Sequence, residues 1–529
     1  MSAGSSSIHD ADQEKAALNL TQQEKPAAET TLQEDVAAVG LDKVYARHGR
    51  IDLVPLPSDS DQDPLNWPSW RKHALLIQVA FHSMMGPFSA AATIPSFESF
   101  VEDFGISITQ ASYTVSIVIV FLGVFPLVWG PVSARIGRRP VLLASALISG
   151  GMHVASAYCN SYGALMTTRV FSAIFICPPQ SIGASMVNEM FFQHEKGEKL
   201  GIWTLLTSLG PPVAPLIMGP LVYHTGTWRW TFWLLAIINL VQVILYIFLA
   251  PETLFDRPVR GAPGSVAPLA EPVEQKGSWW SPYVTFKRRS NAPWSQVPME
   301  IIRPIGIALA PTVLLPTLGY AIAFSYSNVL LTVEIPSLLG RKYNLNAQGV
   351  GLQFVGAVVG AALGEIIAGR GSDMFVAWRT RRAGGNREPE MRLPFALPGY
   401  LLCAVGIIVF GVQLQNTEAG HWNVTPIIGV AIAIFGLQLV TTVSYAYVVE
   451  SMPLDLAPRV PAFVALFRQI YAFTAPFYLN IIYEQMGDAK ASGLLAALVG
   501  GFGFICITAC LVLGPKWRAI EVAHAPAFI

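Results

Sequence analysis

Two ionisable side chains lie inside long apolar segments of this sequence and are therefore candidates for function. Arg169 falls early in one such segment, and Glu365 follows Gly364 near the end of another. A charged group inside a membrane costs free energy, so such residues usually mark an ion or substrate pathway. A carboxyl can carry a proton, whereas a guanidinium stays charged at physiological pH. Glu365 could therefore bind and release a proton, and Arg169 could bias a neighbouring acid or bind a polar group of a ligand.

Uncharged polar and aromatic side chains in the same apolar segments are candidates for a binding cavity. An apolar wall with a few polar groups suits an apolar or amphipathic organic compound. Three further ionisable residues of these segments, His82, His153 and Arg468, are interpreted as packing residues. The cavity candidates are Gln78, Gln180, Asn239, Gln242, Asn328 and Tyr326, with Tyr113, Trp203 and Phe324 as aromatic walls.

A short basic connector, WGPVSARIGRRPVLL, joins two apolar segments. Its glycines would let helix ends approach closely, and its arginines could interact with the negative C-terminal ends of helices. A second connector, GRGSDMFVAWRTRR, has Gly369 and Asp373 where the first has Gly130 and Ala134, which indicates an internal repeat. We interpret these connectors as a cytoplasmic latch, and the alternative is that the arginines only determine topology. The latch candidates are Gly130, Arg135, Gly137, Arg138, Arg139 and Asp373.

A stretch rich in proline and glycine, LGPPVAPLIMGP, lies inside a further apolar segment. Proline interrupts the hydrogen bonds of a helix and bends it. A bend at an interface between two bundles would let a cavity open on one side and stay sealed on the other. The predicted gating residues are Gly210, Pro211, Pro215 and Gly219, and the alternative is an ordinary kink without a gating role.

These residues must be positioned by membrane-spanning helices, because the composition is that of a polytopic membrane protein. The 529 residues are 53% hydrophobic and only 13% charged, with no net charge, whereas soluble domains carry about 25% charged residues. Apolar stretches recur that are long enough to cross a bilayer as helices, the structure that satisfies the backbone in lipid. The predicted fold is all-α, with twelve transmembrane helices in two pseudo-symmetric six-helix bundles. The predicted spans are 73–94, 111–130, 139–158, 164–186, 200–223, 230–250, 305–333, 347–368, 395–414, 424–446, 459–483 and 491–513.

The connectors divide the chain and orient it. Lys and Arg concentrate in the loops on one side, which predicts that both termini are cytoplasmic. No basic region followed by an apolar stretch opens the chain, so a signal peptide is not predicted. The predicted parts are a disordered N-terminal tail (1–70), an N-terminal bundle (71–251), a cytoplasmic loop between the bundles (252–304), a C-terminal bundle (305–514) and a cytoplasmic tail (515–529).

Several classes of function do not fit the sequence. There is no phosphate-cradling G-x-x-x-x-G-K-[ST] loop for a primary pump, and no H-E-x-x-H or G-x-S-x-G motif for a membrane enzyme. The five cysteines suit packing better than a disulfide framework or a metal site. We therefore expect no enzymatic activity, cofactor, metal or nucleic-acid partner, and we expect a monomer in the lipid bilayer.

The connectors and spans resemble the major facilitator superfamily. The first connector is similar to the signature G-x-x-x-D-[RK]-x-G-R-[RK], with Ala134 in place of the acid. TTRVFSAIF places Arg169 where a second family motif has an arginine, and LGPPVAPLIMGP resembles the antiporter motif, with Ala214 where glycine is usual. PETL, at residues 251–254, closes span 6 as in many members. DPLNWPSWRK, YVVESM and REPEMRL resemble fungal twelve-span drug:proton antiporters.

The resemblance implies a secondary active transporter of the major facilitator fold that works by alternating access. It implies proton-coupled export of a drug, toxin or secondary metabolite from a plasma membrane, as in multidrug resistance. One alternative is proton-coupled uptake of a nutrient or an organic cation such as a polyamine. A more remote alternative is a receptor or sensor that does not transport.

Overall fold

The computed structural model describes residues 46–49, 53–55, 57–58, 60–255, 293–307, 310–452 and 460–524. Within them, eleven helical segments are long and apolar enough to cross a membrane, and a bent helix pair provides a twelfth. The predicted all-α membrane fold is confirmed. The twelve spans are Ser69–Phe104, Ile108–Val124 with Pro126–Ile136, Arg138–Ala157, Tyr162–Met190, Gln193–Thr225, Arg229–Leu249, Pro311–Tyr343, Ala347–Arg382, Pro389–Asn416, Thr425–Glu450, Val460–Met486 and Asp488–Glu521, called spans 1 to 12.

Several spans consist of more than one helix. Span 1 contains Ser69–Ala91 and Phe97–Phe104, span 4 contains Tyr162–Ile176 and Pro178–Met190, and span 8 contains Ala347–Leu352 and Val355–Arg382. In span 7, the helices Pro311–Phe324 and Leu330–Val333 alternate with π-helical turns at Ser325–Val329 and Pro336–Gly340. A separate helix, Val297–Ile307, precedes span 7.

The spans of the two halves pack in the same order, as expected for a repeat. Span 1 packs on span 5 and span 3 on span 6, and correspondingly span 7 packs on span 11 and span 9 on span 12. The halves meet where span 2 contacts span 11 and span 5 contacts span 8. The contacts of a group that lies between spans 2 and 11 or between spans 5 and 8 therefore depend on how the two halves are arranged.

The outer surface of the spans is apolar. In span 6, for example, Leu240, Ile244 and Phe248 are 57%, 46% and 69% exposed. Soluble monomers rarely expose continuous apolar surface of this extent. These side chains are placed to contact lipid, while the opposite faces of the helices form the core.

Helices extend further than the predicted spans. Span 5 begins at Gln193, the helix of span 8 reaches Arg382, and the last helix reaches His524. The loop predicted between the spans 347–368 and 395–414 and the tail predicted from 515 therefore begin as helix. Hydropathy locates the part of a helix that lies in hydrocarbon, but backbone hydrogen bonds and good helix formers such as Arg carry a helix into water.

The disordered tail predicted for residues 1–70 is wrong for its last residues. Pro64–Asn66 form a 3-10 turn whose cap is the Asp63 carboxylate, and the Lys72 ammonium donates to the Leu65 carbonyl at 2.8 Å. Leu53 and Leu65 pack on Phe192. Residues 1–45, and most of the predicted loop between the bundles, lie outside the described residues.

Among the described spans, the sharply bent helix break lies in span 2, whereas the sequence predicts a bend in span 5. Span 2 bends by 47° between Val124 and Pro126, where proline starts a new helix. Span 5 is one continuous helix, Gln193–Thr225, with Pro211, Pro212 and Pro215 inside it.

Candidate functional site

Arg169 is fully buried in span 4 and fully hydrogen-bonded. Its Nε and Nη2 donate to the Thr114 carbonyl at 3.2 and 3.1 Å, and Nη2 also donates to the Ala90 carbonyl at 3.1 Å. Nη1 donates to the carbonyl and hydroxyl of Ser89 at 2.9 and 3.3 Å. The structure thus ties Arg169 to spans 1 and 2 of its own half, and its hydrogen-bond partners are all neutral.

Glu365 connects the two halves. The Thr204 hydroxyl of span 5 donates to its Oε1 at 2.7 Å. The carboxyl of span 8 is therefore a titratable group whose hydrogen bond depends on the distance between spans 5 and 8.

The glycines of span 5 lie at two different interfaces. A Cβ on Gly210 would be 2.8 Å from the Met84 carbonyl oxygen of span 1, within the same half. A Cβ on Gly219 would be 2.7 Å from the Ala347 carbonyl oxygen of span 8, and one on Gly351 would be 2.5 Å from the Pro215 carbonyl oxygen. Pro215 and Gly219 therefore belong to a close contact between the halves, whereas Gly210 packs inside one of them and Pro211 is half-buried.

We call the end of the spans that bears the arginine-rich connectors the basic end. In the first half, Arg138 pairs with Glu189 at 3.0 Å, and its Nη1 donates to the Ser133 hydroxyl at 2.6 Å. The Glu252 carboxylate of PETL accepts the backbone N–H groups of Arg138 and Arg139 at 3.0 and 3.1 Å. Glu252 thereby caps the start of span 3, a favourable position for an anion.

Two glycines of the first connector have different environments. Gly137 has a φ of 114°, and a Cβ there would be 2.6 Å from Glu252 Oε2, so this turn requires glycine. A Cβ on Gly130 would meet nothing within 4 Å. The expectation of a close helix approach is therefore wrong for Gly130, because this face of span 2 has open space beside it. The Arg139 guanidinium donates to the Ile247 carbonyl of span 6 at 3.2 Å.

The second half repeats the arrangement of the first. Arg392 donates to the Ser372 hydroxyl at 2.7 Å and pairs with Glu450 at 3.0 Å, as Arg138 does with Ser133 and Glu189. Arg392 also pairs with Asp373 at 3.0 Å. Ala134, the residue that follows Ser133, offers no carboxylate, so the first half lacks the counterpart of that last ion pair.

Arg135 contacts the segment that joins the halves. Its side chain is 2% exposed and forms two hydrogen bonds of 2.9 and 2.8 Å with the Glu300 carboxylate. Glu300 belongs to the helix before span 7. This two-fold pairing is the strong geometry for arginine and a carboxylate, and it fixes the basic end of span 2 against the joining segment.

The six cavity candidates do not converge on one site. The amides of Gln78 and Gln242 are buried without hydrogen-bond partners among the described residues. Asn239 accepts from the Ser149 hydroxyl at 3.2 Å and donates to the Leu235 carbonyl, so it joins spans 6 and 3.

The remaining candidates lie in both halves. Gln180 faces Gly86 of span 1. The Tyr326 hydroxyl bonds with those of Tyr471 and Tyr478 at 2.9 and 3.1 Å, and the half-buried Asn328 lies in the same π-helical turn as Tyr326.

Sequence reasoning missed one buried acid, Glu334 of span 7. It is 1% exposed, accepts from the Ser337 hydroxyl at 2.6 Å, and has no hydrogen-bond partner for Oε1 among the described residues. The predicted span stopped at residue 333, so Glu334 was assigned to the loop. The π-helical turns on either side, a frequent feature of functional sites, leave no clear signal in the sequence.

Comparison with known proteins identifies the family. Residues 79–476 match the Major Facilitator Superfamily. The chain is 26% identical to the cycloheximide resistance protein of Candida maltosa over 87% of this chain and 84% of that one. It is 25% identical to the MFS antiporter QDR3 of Candida albicans over 85% and 78%, and 26% identical to the efflux pump FUBT of Fusarium oxysporum over 85% and 73%.

Solved structures show the same fold at low sequence identity. The human organic anion transporter MFSD10 superimposes with a TM-score of 0.55 at 13% identity, covering 83% of this chain and all of that one. A peptide transporter, POT, superimposes with a TM-score of 0.59 at 14% identity, covering 84% and 95%. Together with the match over residues 79–476, these likenesses lead to one conclusion: the chain belongs to the Major Facilitator Superfamily and is a multi-pass membrane transporter.

Proposed function

We propose that this transporter exports a small organic compound, such as a drug, toxin or secondary metabolite, in exchange for protons. Three relatives support this direction, since they are named for cycloheximide resistance, antiport and efflux. The observation that carries the proposal is the hydrogen bond between Thr204 and Glu365 across the halves. Because Glu365 can bind a proton, its protonation state and the separation of spans 5 and 8 are linked.

In this proposal the halves alternate between two arrangements around a central substrate. The basic end faces the cytoplasm, as the distribution of Lys and Arg favours, and both termini lie there. The ion pairs of Arg138 and Arg392 hold helix ends within each half, and the Arg135–Glu300 pair restrains the joining segment. The protein acts as a monomer in the plasma membrane.

The direction of transport is tested in a fungal strain that lacks its own efflux pumps. Cells that express the chain are loaded with labelled cycloheximide or labelled spermidine, with and without a protonophore. Export predicts lower intracellular label than in the empty strain and loss of the difference when the proton gradient is dissipated. A higher level of spermidine in expressing cells would instead establish uptake of an organic cation.

Glu365→Gln provides the matched variant, since it keeps an acceptor for Thr204 but cannot release a proton. We expect it to reach the membrane and to lose transport driven by the gradient. Gradient-driven transport at the rate of the unmodified protein would refute the coupling role of Glu365. If no compound from a broad panel moved in either direction, the receptor alternative would gain support.

A further inference from the structure

Arg169 and Arg468, the two arginines within the apolar stretches singled out from the sequence, differ in the hydrogen bonds of their guanidinium groups. A guanidinium carries five N–H donors. In Arg169 every nitrogen donates, and three backbone carbonyls take most of these hydrogen bonds. In Arg468, Nη1 donates to the Tyr320 hydroxyl at 2.7 Å, and Nε has no partner among the described residues. The charge of Arg468 thus lies within an apolar span without the set of hydrogen bonds that stabilises the charge of Arg169.

No carboxylate of the described residues forms an ion pair with Arg468. The titratable side chains that interact with it are the phenols of Tyr320 and Tyr445. An unpaired charge in hydrocarbon surroundings costs several kcal/mol and is rarely kept without a function. The group that would balance this charge is an anion, and none of the described residues supplies a carboxylate there.

Aromatic rings surround the guanidinium. Its Cζ lies 4.3 Å from the centre of the Phe324 ring and 5.7 Å from that of Tyr320, and Tyr445 packs edge-on against Tyr320 at 5.6 Å. One helical turn along span 11, Tyr471 bonds with Tyr326 through their hydroxyl groups. These rings offer an apolar surface with phenol hydroxyls, which suits the ring of an aromatic ligand better than a small inorganic ion.

Arg468 also lies next to the interface between the halves. The following residue, Gln469, packs against Gly123 of span 2, where a Cβ would be 2.5 Å from the Cβ of Gln469. The Arg468 side chain itself is half-buried. Arg468 is therefore partly exposed and lies on a span that contacts the other half.

We propose that Arg468 is a binding residue for the carboxylate, or an equivalent anionic group, of an aromatic organic acid. The free N–H groups of the guanidinium hold the anion, and Phe324, Tyr320 and Tyr471 contact the ring. The inference rests on the proposed transport of an organic compound and names its chemical class. It reverses the sequence-based interpretation of Arg468 as a packing residue.

The test is equilibrium binding of labelled 1-naphthoate to the full-length protein in lipid nanodiscs, compared with its neutral analogue 1-naphthamide. We expect naphthoate to bind at least about ten-fold more tightly than the amide, since hydrogen bonds to charged groups contribute about 1.5–3 kcal/mol. Arg468→Gln should remove this preference and leave binding of the amide unchanged. Arg468→Lys keeps the charge but loses the planar fork, so it should keep part of the preference.

A control variant tests whether the effect is specific to Arg468. Arg381→Gln removes an exposed charge at the basic end and should leave both affinities unchanged. If Arg468→Gln is unstable, the comparison of naphthoate with naphthamide on the unmodified protein and on Arg468→Lys still decides.

Equal affinity for the acid and the amide would overturn the inference, as would an unchanged preference in a folded Arg468→Gln protein. Failure to bind either probe would overturn it too. The proposed function is tested separately by transport. If only the anion site were wrong, gradient-driven export of an uncharged compound would still be observed.

Discussion

The close contact between spans 5 and 8 allows the equilibrium between two arrangements of the halves to be shifted by one methyl group. In Gly219→Ala, the new Cβ would lie 2.7 Å from the Ala347 carbonyl oxygen and 2.9 Å from the Gly351 Cα. Non-bonded carbon contacts are most favourable at about 3.5–4.0 Å. Both contacts are with backbone atoms, which cannot rotate away. The two spans must therefore separate by roughly 0.5–1 Å.

The free-energy effect follows from overpacking. Adding a methylene to a tightly packed site costs about 1–3 kcal/mol. The cost applies only while spans 5 and 8 are in contact at Gly219, so it shifts the equilibrium towards arrangements in which they are apart. A difference of this size changes the ratio of the two states by about 5- to 150-fold.

The assay is a distance measurement by electron paramagnetic resonance between spin labels at His224→Cys and Glu418→Cys. Both positions are exposed, belong to different halves and lie at the end opposite the basic end. The five native cysteines, all buried, are replaced first. We expect Gly219→Ala to enrich the longer distances and to slow turnover.

The matched control is Gly201→Ala, on the same span, where a Cβ would meet nothing within 4 Å. It should leave the distances and the turnover unchanged. An unchanged distance distribution in Gly219→Ala, together with normal transport, would refute the argument that this contact closes one side of the transporter.

Three other substitutions test the remaining contacts. Glu252→Ala removes the acceptor for two backbone N–H groups at the start of span 3, and we expect the free energy of unfolding to fall by about 1–2 kcal/mol. The melting temperature should therefore be lower than in the control Glu388→Ala, which changes an exposed glutamate. Arg169→Ala removes five hydrogen bonds of a fully buried side chain and should markedly lower melting temperature and membrane level. A stable variant without transport would instead assign Arg169 to coupling. Ala134→Asp supplies the carboxylate that the second half has at Asp373, and we expect a stabilised basic end with slower turnover, whereas faster turnover would contradict a latch there.

The sequence was sufficient to predict the local and the repeated features. The hydropathy of a segment gives its free energy of transfer from water into the bilayer. Because this quantity depends on that segment alone, the twelve spans can be predicted from the sequence. The correspondence of Gly130 and Ala134 with Gly369 and Asp373 follows from counting residues along two similar connectors. The ion pairs of Arg138 and Arg392 agree with that correspondence, because each arginine meets the serine that precedes Ala134 or Asp373 and a glutamate of a later span.

Tertiary structure decided which charged groups have partners. Arg169 and Arg468 are similar in sequence, each an arginine in an apolar span. Every guanidinium nitrogen of Arg169 donates a hydrogen bond, whereas Nε of Arg468 has no partner among the described residues. That difference depends on which backbone groups of distant spans face each side chain, and no local pattern records it. The same reason explains why Glu334 was missed and why Glu365 was recognised without its partner Thr204. Local sequence fixes the cost of burying a charge, whereas the contacts that offset this cost come from residues distant in the chain.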